Sequence, residues 1–224
     1  MTSTQVTAIR RSVASAAKTL ASHGLVIGRS GNVSLRSGEL VGLTATGVPL
    51  NAIKQEQVTV VDLFGNVVDG DWEPTSEAAL HLGILRTSPA DGVYAVAHTH
   101  SPFASALSMV LDELPVAHYQ QLALGGALRV APFATFGSPQ LGHAVNTALE
   151  GRLAALMANH GAVALGHDLP TAVEHALLVE QLCELYWRAS ALGEPRLLDA
   201  AQQRGVIEAA EEIHYGAPKR IARP

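Results

Sequence analysis

The chain has 224 residues, 48% hydrophobic and 4% aromatic, with a formal net charge of −5. That length suits one domain with a sizeable core, built mainly from Ala, Val and Leu because aromatic residues are few. Lys and Arg are scattered, which argues against the basic face that nucleic-acid binding needs, and the lone cysteine, Cys183, excludes an internal disulfide and favours a reducing compartment.

Arg10, Arg11 and Lys18 are dispersed through a helical pattern with no apolar stretch behind them, so no secretory signal is expected. The longest uncharged stretches, 92–111 and 130–149, carry histidine, proline and several hydroxyls and make poor membrane spans. A cytoplasmic protein with no membrane partner is the expectation.

Apolar residues at Val6, Ile9, Val13, Ala17 and Leu20 predict a helix over 4–23, ended by Gly24. Strands are predicted at 33–36, 40–44, 58–62 and 66–68, with Ser37-Gly38 and Phe64-Gly65-Asn66 as turns. A helix over 76–86 leads into the apolar run Val93-Tyr94-Ala95-Val96-Ala97, a buried strand, and Pro102 opens a short helix. Strands follow at 127–131, 154–157 and 162–165, with a helix over 139–149 between the first two. A long helix over 170–190 carries the stripe Ala172, Ala176, Val179, Cys183 and Tyr186, which makes Cys183 a small core residue rather than a nucleophile. Gly193-Glu194-Pro195 breaks the chain before a last helix over 202–213. The irregular alternation predicts one α/β domain of α+β character over 1–224, a mainly antiparallel or mixed sheet flanked by helices, with 193–224 as its tail.

His98-Thr99-His100 closes the predicted strand. Positions two apart on a strand share a face, so both imidazoles point the same way, and neutral imidazole is the commonest zinc ligand. Asn159-His160-Gly161 lies between two strand-like runs, in a loop that suits function. A third imidazole there would leave an open coordination position, the mark of a catalytic zinc site; a polar turn residue is the plainer alternative. Glu77, in Pro74-Thr75-Ser76-Glu77, is the natural acid partner, although glutamate is favoured in any first helical turn. Thr75 and Ser76 suit caps or an anion site at a helix start. Gly28-Arg29-Ser30-Gly31-Asn32 can present backbone N–H groups to an anion but lacks the spacing of a nucleotide loop. Thr44-Ala45-Thr46-Gly47 is a further hydroxyl-rich turn.

Taken in order, Gly31-Asn32-Val33-Ser34, Thr46-Gly47, Thr75-Ser76-Glu77, His98-Thr99-His100, His118-Tyr119 and Asn159-His160-Gly161 resemble the class II aldolase/adducin family. The resemblance runs from about residue 4 to 190 and includes the stretch Ala131-Pro132-Phe133-Ala134-Thr135-Phe136-Gly137. It implies one divalent ion per subunit, zinc before manganese or cobalt, held by His98, His100, His160 and Glu77. It implies Glu77 as general acid/base, and Gly31, Asn32, Thr46, Gly47, Thr75 and Ser76 as a phosphate cradle of backbone and hydroxyl donors rather than Lys or Arg. Thr75 stands where a serine is usual. Tyr119 matches a tyrosine that reaches a neighbouring subunit's site in a homotetramer with sites at its interfaces, and Tyr215 a second, C-terminal one. The implied activity is a lyase reaction: aldol cleavage of a phosphorylated ketose resembling L-fuculose 1-phosphate to dihydroxyacetone phosphate and an aldehyde, through a metal-stabilised enediolate. A decarboxylase of a phosphorylated keto-acid such as a 3-oxo-tetronate 4-phosphate, or a sugar-phosphate epimerase, uses the same scaffold. Adducin-type relatives keep the fold but lose the metal ligands, whereas all three histidines and Glu77 are present here.

His23, His143, His167, His175 and His214 fall at helix ends or on polar faces and read as structural or exposed. His81, one turn after Glu77, is expected to pack in the core or hydrogen-bond to a residue of the site. His118 adjoins Tyr119.

Overall fold

The first helix, α1 (Ser3–Ser22), buries Val6, Ile9, Val13, Ala17 and Leu20, the stripe expected from its spacing. In this computed structural model, which describes residues 3–87, 92–213 and 215, α1 is followed by a meander of β1 (Asn32–Ser37), β2 (Leu40–Thr44), β3 (Val58–Asp62) and β4 (Val67–Asp69). Then come α2 (Ala78–Thr87), β5 (Ala95–Thr99), α3 (Pro102–Ser108), β6 (Glu113–Leu114) and β7 (Leu128–Ala131). The chain continues through α4 (Pro139–Ala148), β8 (Ala154–Met157), β9 (Gly161–Gly166), α5 (Leu169–Leu192) and α6 (Ala200–Ile213).

Among the described residues the strands form one sheet in the order β4-β3-β2-β1-β5-β9-β8-β7-β6. β7 and β8 run parallel and the other neighbouring pairs antiparallel, so the sheet is mixed, as predicted. Both faces are covered. Val33, Ala95, Ala97, Ala162 and Ala164 face one core with α1, α3 and α5; Val41, Leu43, Val96, Val163 and Leu165 face the other with α2 and α4. This two-sided burial explains why the central strands read as unbroken apolar runs rather than alternating ones. Each large apolar side chain buried there contributes about 1.5–3 kcal/mol. An exposed ion pair such as Arg188 with Glu184 is worth about 0–1 kcal/mol. The apolar faces, not surface charge, fix the frame that carries the site.

Three departures from the predicted elements have physical causes. α2 begins at Ala78, not at residue 76, because the preceding segment lies along the end of β2: Ala45 bridges Pro74, and the Thr75 N–H donates to the Thr44 carbonyl at 2.9 Å. The two-residue β6 and the 3₁₀ helix Tyr119–Leu124 are too short to show a period. α6 has no fully buried residue among those described; Gln203, Val206 and Ala210 are only partly covered. Cys183 is buried in the α5 core and burial pushes its thiol well above the usual range, which suits a structural role. No described helix is long and apolar enough to cross a membrane.

Candidate metal centre

Strand register builds the site. Asn32 on β1 sits directly opposite His98 on β5, and β5 pairs with β9 through His98 and Val163. Because side chains alternate, His98 falls on the same face as Val96, toward α2. His100 follows just past the strand end, and its Nε2 lies 2.9 Å from Nε2 of His98. His160 arrives from the hairpin between β8 and β9. Asn159 there takes a left-handed conformation (φ 56°), which Asn tolerates better than most residues, and the turn swings His160 toward the other two. The three imidazoles meet edge to face with centroids 4.8–4.9 Å apart.

Glu77 closes the group from the start of α2. Its Oε2 stands 3.1 Å from His98 Nε2, and its Oε1 stands 3.5 Å from His160 Nε2. One ligand atom from each of Glu77, His98, His100 and His160 lies within 4.8 Å of the others. Bonds of about 2.0–2.1 Å at tetrahedral angles would set donor atoms about 3.3 Å apart, close to the 2.9, 3.1 and 3.5 Å separations here. Two further observations fit a cation. Glu77 Oε1 is buried and has no hydrogen-bond partner among the described residues, a costly arrangement unless something positive meets it. The Nδ1–H of His98 donates to the Ala162 carbonyl at 3.0 Å, which orients the ring with Nε2 toward the cluster.

The electrostatics agree. Burial and the neighbouring imidazoles push His100 down to about 4, and burial with His98 lowers His160, so both are neutral with free lone pairs at pH 7. Burial alone would raise the Glu77 carboxyl, but His98, the Asn32 amide and His160 outweigh it and hold the group ionised, well below the usual carboxylate range. Three imidazoles and one carboxylate form a donor set suited to a divalent ion.

A cavity of about 460 Å³ opens beside this group. Gly31, Asn32, Thr46, Gly47, Thr75, Ser76, Glu77, His100 and His160 all line it. Gly31 has φ +76°, and a Cβ there would fall 2.9 Å from the His98 carbonyl oxygen, so the loop can approach β5 only without a side chain. Asn32 differs from its sequence reading in one respect: its side chain is buried and turned to Glu77 and His81. Thr75 Oγ1 accepts the N–H of Glu77 at 3.3 Å, a turn contact just ahead of α2.

Tyr119 and Tyr215 do not line this cavity. Both are exposed, and their hydroxyls lie 3.1 Å apart. Sequence reasoning gave no role to several residues of the cavity wall, Arg29, Phe133 and Phe136 among them. Among the described residues Arg29 is the one Arg or Lys there, which departs from a cradle without cationic side chains, and Phe133 and Phe136 are 67% and 65% exposed. The signal was available: Arg29 sits inside the flagged glycine loop, and both phenylalanines lie in the stretch that follows β7. Of the other histidines, His23, His143 and His167 are exposed, and His175 is tied to the Leu165 carbonyl at 2.6 Å. His118 is part-buried and accepts the Gln120 N–H at 3.4 Å. His214 lies outside the described residues.

Gly161 offers a test of how tightly the centre is framed. A Cβ there would overlap the Thr99 carbonyl oxygen and lie 3.3 Å from His100 Cα. Gly161→Ala is expected to force β9 away from β5 and carry His160 out of reach of His98, destabilising the fold by about 1–3 kcal/mol and weakening divalent-metal affinity at least about tenfold. Thermal melts and metal titration check this. Unchanged affinity would mean that the hairpin does not set the His160 position.

The family described as Class II Aldolase and Adducin N-terminal domain matches residues 11–187. The 5-methylthioribulose-1-phosphate/5-deoxyribulose-1-phosphate aldolase of Rhodospirillum rubrum is 34% identical over 222 residues, spanning 97% of this chain and 96% of its own. The L-fuculose phosphate aldolase of Escherichia coli K12 is 34% identical over 173 residues, 77% and 79% of the two chains. A solved structure of an L-fuculose 1-phosphate aldolase aligns with a TM-score of 0.86 at 32% identity, covering 91% of this chain and 96% of that one. The mixed sheet flanked by helices is the fold of that enzyme, and on the family match over 11–187 this chain belongs to the class II aldolase and adducin family.

Proposed function

We propose that this chain is a divalent-metal-dependent lyase that cleaves a ketose 1-phosphate to dihydroxyacetone phosphate and an aldehyde. The observation that carries the reading is the buried Glu77, whose Oε1 has no hydrogen-bond partner among the described residues and which meets three convergent imidazoles beside a cavity lined with anion-binding groups. His98, His100, His160 and Glu77 would hold the ion, with zinc the leading candidate because nitrogen donors predominate. When bound, the ion supplies Lewis-acid polarisation of the ketose carbonyl.

The chain's own residues supply the rest. Thr46, Thr75 and Ser76, with backbone N–H groups at Gly31 and Gly47, would hold the phosphate, and Arg29 at the rim adds a guanidinium suited to it. That fixes C3 against Glu77. In the condensation direction the Glu77 carboxylate takes a proton from C3 of dihydroxyacetone phosphate; in cleavage it returns one as the C3–C4 bond breaks. Tyr119, with Tyr215 beside it, would exchange the proton of the C4 oxygen. Because both are exposed and lie off this chain's cavity, the pair would act on a neighbouring subunit, in a homotetramer. Phe133 and Phe136 give the cavity an apolar side. That favours an aldehyde with an apolar end, in keeping with the 5-methylthio and 5-deoxy sugars named for the Rhodospirillum rubrum relative. A cytoplasmic site of action keeps the free Cys183 thiol reduced.

Metal-loaded protein incubated with 5-methylthioribulose 1-phosphate, 5-deoxyribulose 1-phosphate, L-fuculose 1-phosphate and a 3-oxo-tetronate 4-phosphate tests this. The expected product is dihydroxyacetone phosphate with an aldehyde, fastest from the 5-methylthio or 5-deoxy sugar. Carbon dioxide release without aldehyde would overturn it in favour of decarboxylation.

A further inference from the structure

Glu77 is tied to a chain of buried polar groups that the reaction does not itself require. Asn32 Nδ2 donates to Glu77 Oε2 at 2.9 Å, Asn32 Oδ1 meets His81 Nε2, and His81 Nδ1 lies 2.6 Å from Ser34 Oγ. Ser34 and His81 are 0% exposed, and Asn32 and Glu77 are 5% exposed. The placement follows from two periods. Asn32 and Ser34 are two apart on β1 and share a face, while His81 lies four residues after Glu77 on the helix packed over that face. One imidazole therefore spans both strand positions.

With a neutral imidazole, only one arrangement of protons satisfies all three contacts. An ionised carboxylate can only accept, so Asn32 must turn its amide N–H₂ to Glu77 and its oxygen to His81. That oxygen also only accepts, so His81 must carry its proton on Nε2. His81 is 0% exposed and its ring faces only an uncharged amide and an uncharged hydroxyl, so the ring stays neutral, and the bare Nδ1 takes the hydroxyl proton of Ser34. Every donor points the same way, from Ser34 toward Glu77. The chain occupies Oε2 and leaves Oε1 as the oxygen without a hydrogen bond.

We propose that Ser34 and His81 are positioning residues which, through the Asn32 amide, lock Glu77 with Oε2 tethered and Oε1 presented to C3 of the substrate. The inference rests on the proton-transfer role of Glu77 given above. Without the Nε2–H of His81, the buried Asn32 oxygen loses its partner and only the carboxylate orients the amide. Asn32, and with it Oε2, is then held less tightly.

The test pairs kinetics with a readout that needs no substrate. In ¹⁵N spectra of the intact protein, His81 is expected as the neutral Nε2–H tautomer; a proton on Nδ1 overturns the proposal. His81→Leu, which offers no donor, is expected to lower kcat about ten- to a hundredfold with KM within about twofold. His81→Gln can still donate to Asn32 and is expected to stay within about threefold of the parent. Loss in both variants alike, or in neither, contradicts the proposal. If His81→Leu does not fold, Ser34→Ala decides: it is expected to admit the Nδ1–H tautomer and lower kcat with KM held, and an unmoved tautomer with unchanged kcat counts against the chain. Absence of any aldol cleavage by the parent protein would instead refute the lyase reading, while the tautomer measurement still judges the hydrogen-bond chain.

Discussion

Glu77→Gln is expected to lower turnover by about 10²–10⁴-fold, the range set by losing a general acid/base, while the protein still takes up its metal. The substitution keeps the shape of the side chain, and the amide oxygen can still accept from Asn32, which donates to Glu77 at 2.9 Å. The buried network therefore stays paired and the fold intact. What disappears is the ability to take and return a proton at C3. The three imidazoles remain, so metal uptake measured on the purified variant should match or exceed that of the parent. Turnover within about threefold of the parent would remove Glu77 from the chemistry, and loss of metal together with activity would make it a ligand alone.

His98→Ala or His160→Ala is expected to weaken divalent-metal affinity by more than about a hundredfold, since altering only an outer partner of a ligand typically costs about 10–100-fold. The two substitutions differ in what else they disturb. His98 is fully buried and donates to the Ala162 carbonyl, so its removal leaves a void and an unpaired acceptor between β5 and β9. His160 sits on a hairpin turn, half-buried, and its removal should leave the melting temperature of metal-free protein within a few degrees, because substitutions away from a packed core change stability by about 0.5 kcal/mol or less. His160→Ala is thus the cleaner variant. Full metal content in either would mean that the three imidazoles are not the ligand set.

Much of this architecture was legible in the residues, and the reasons can be named. The α1 stripe from Val6 to Leu20 and the α5 stripe from Ala172 to Cys183 are buried where their period placed them, because a helix that buries one face must repeat its apolar residues at that spacing. His98 and His100 converge because strand geometry gives alternate residues one face. Local rules fail where a long-range partner decides. The Ala45–Pro74 bridge delays α2, and no window around Pro74 contains Ala45. The inward turn of Asn32 depends on Glu77, 45 positions away, and on His81. Arg29 reached the cavity wall through the course of the glycine loop, which composition does not disclose. His160, by contrast, was expected from its loop between two strands, and the left-handed turn at Asn159 is what brings it there.

The most direct measurement follows dihydroxyacetone phosphate release from a cleaved ketose 1-phosphate as chelator-stripped protein is titrated with zinc, with bound metal determined at each point. The account predicts negligible release from stripped protein, a linear rise in activity and a plateau at one ion per chain. Full turnover by the stripped protein, or zinc uptake that leaves activity unchanged, would contradict it.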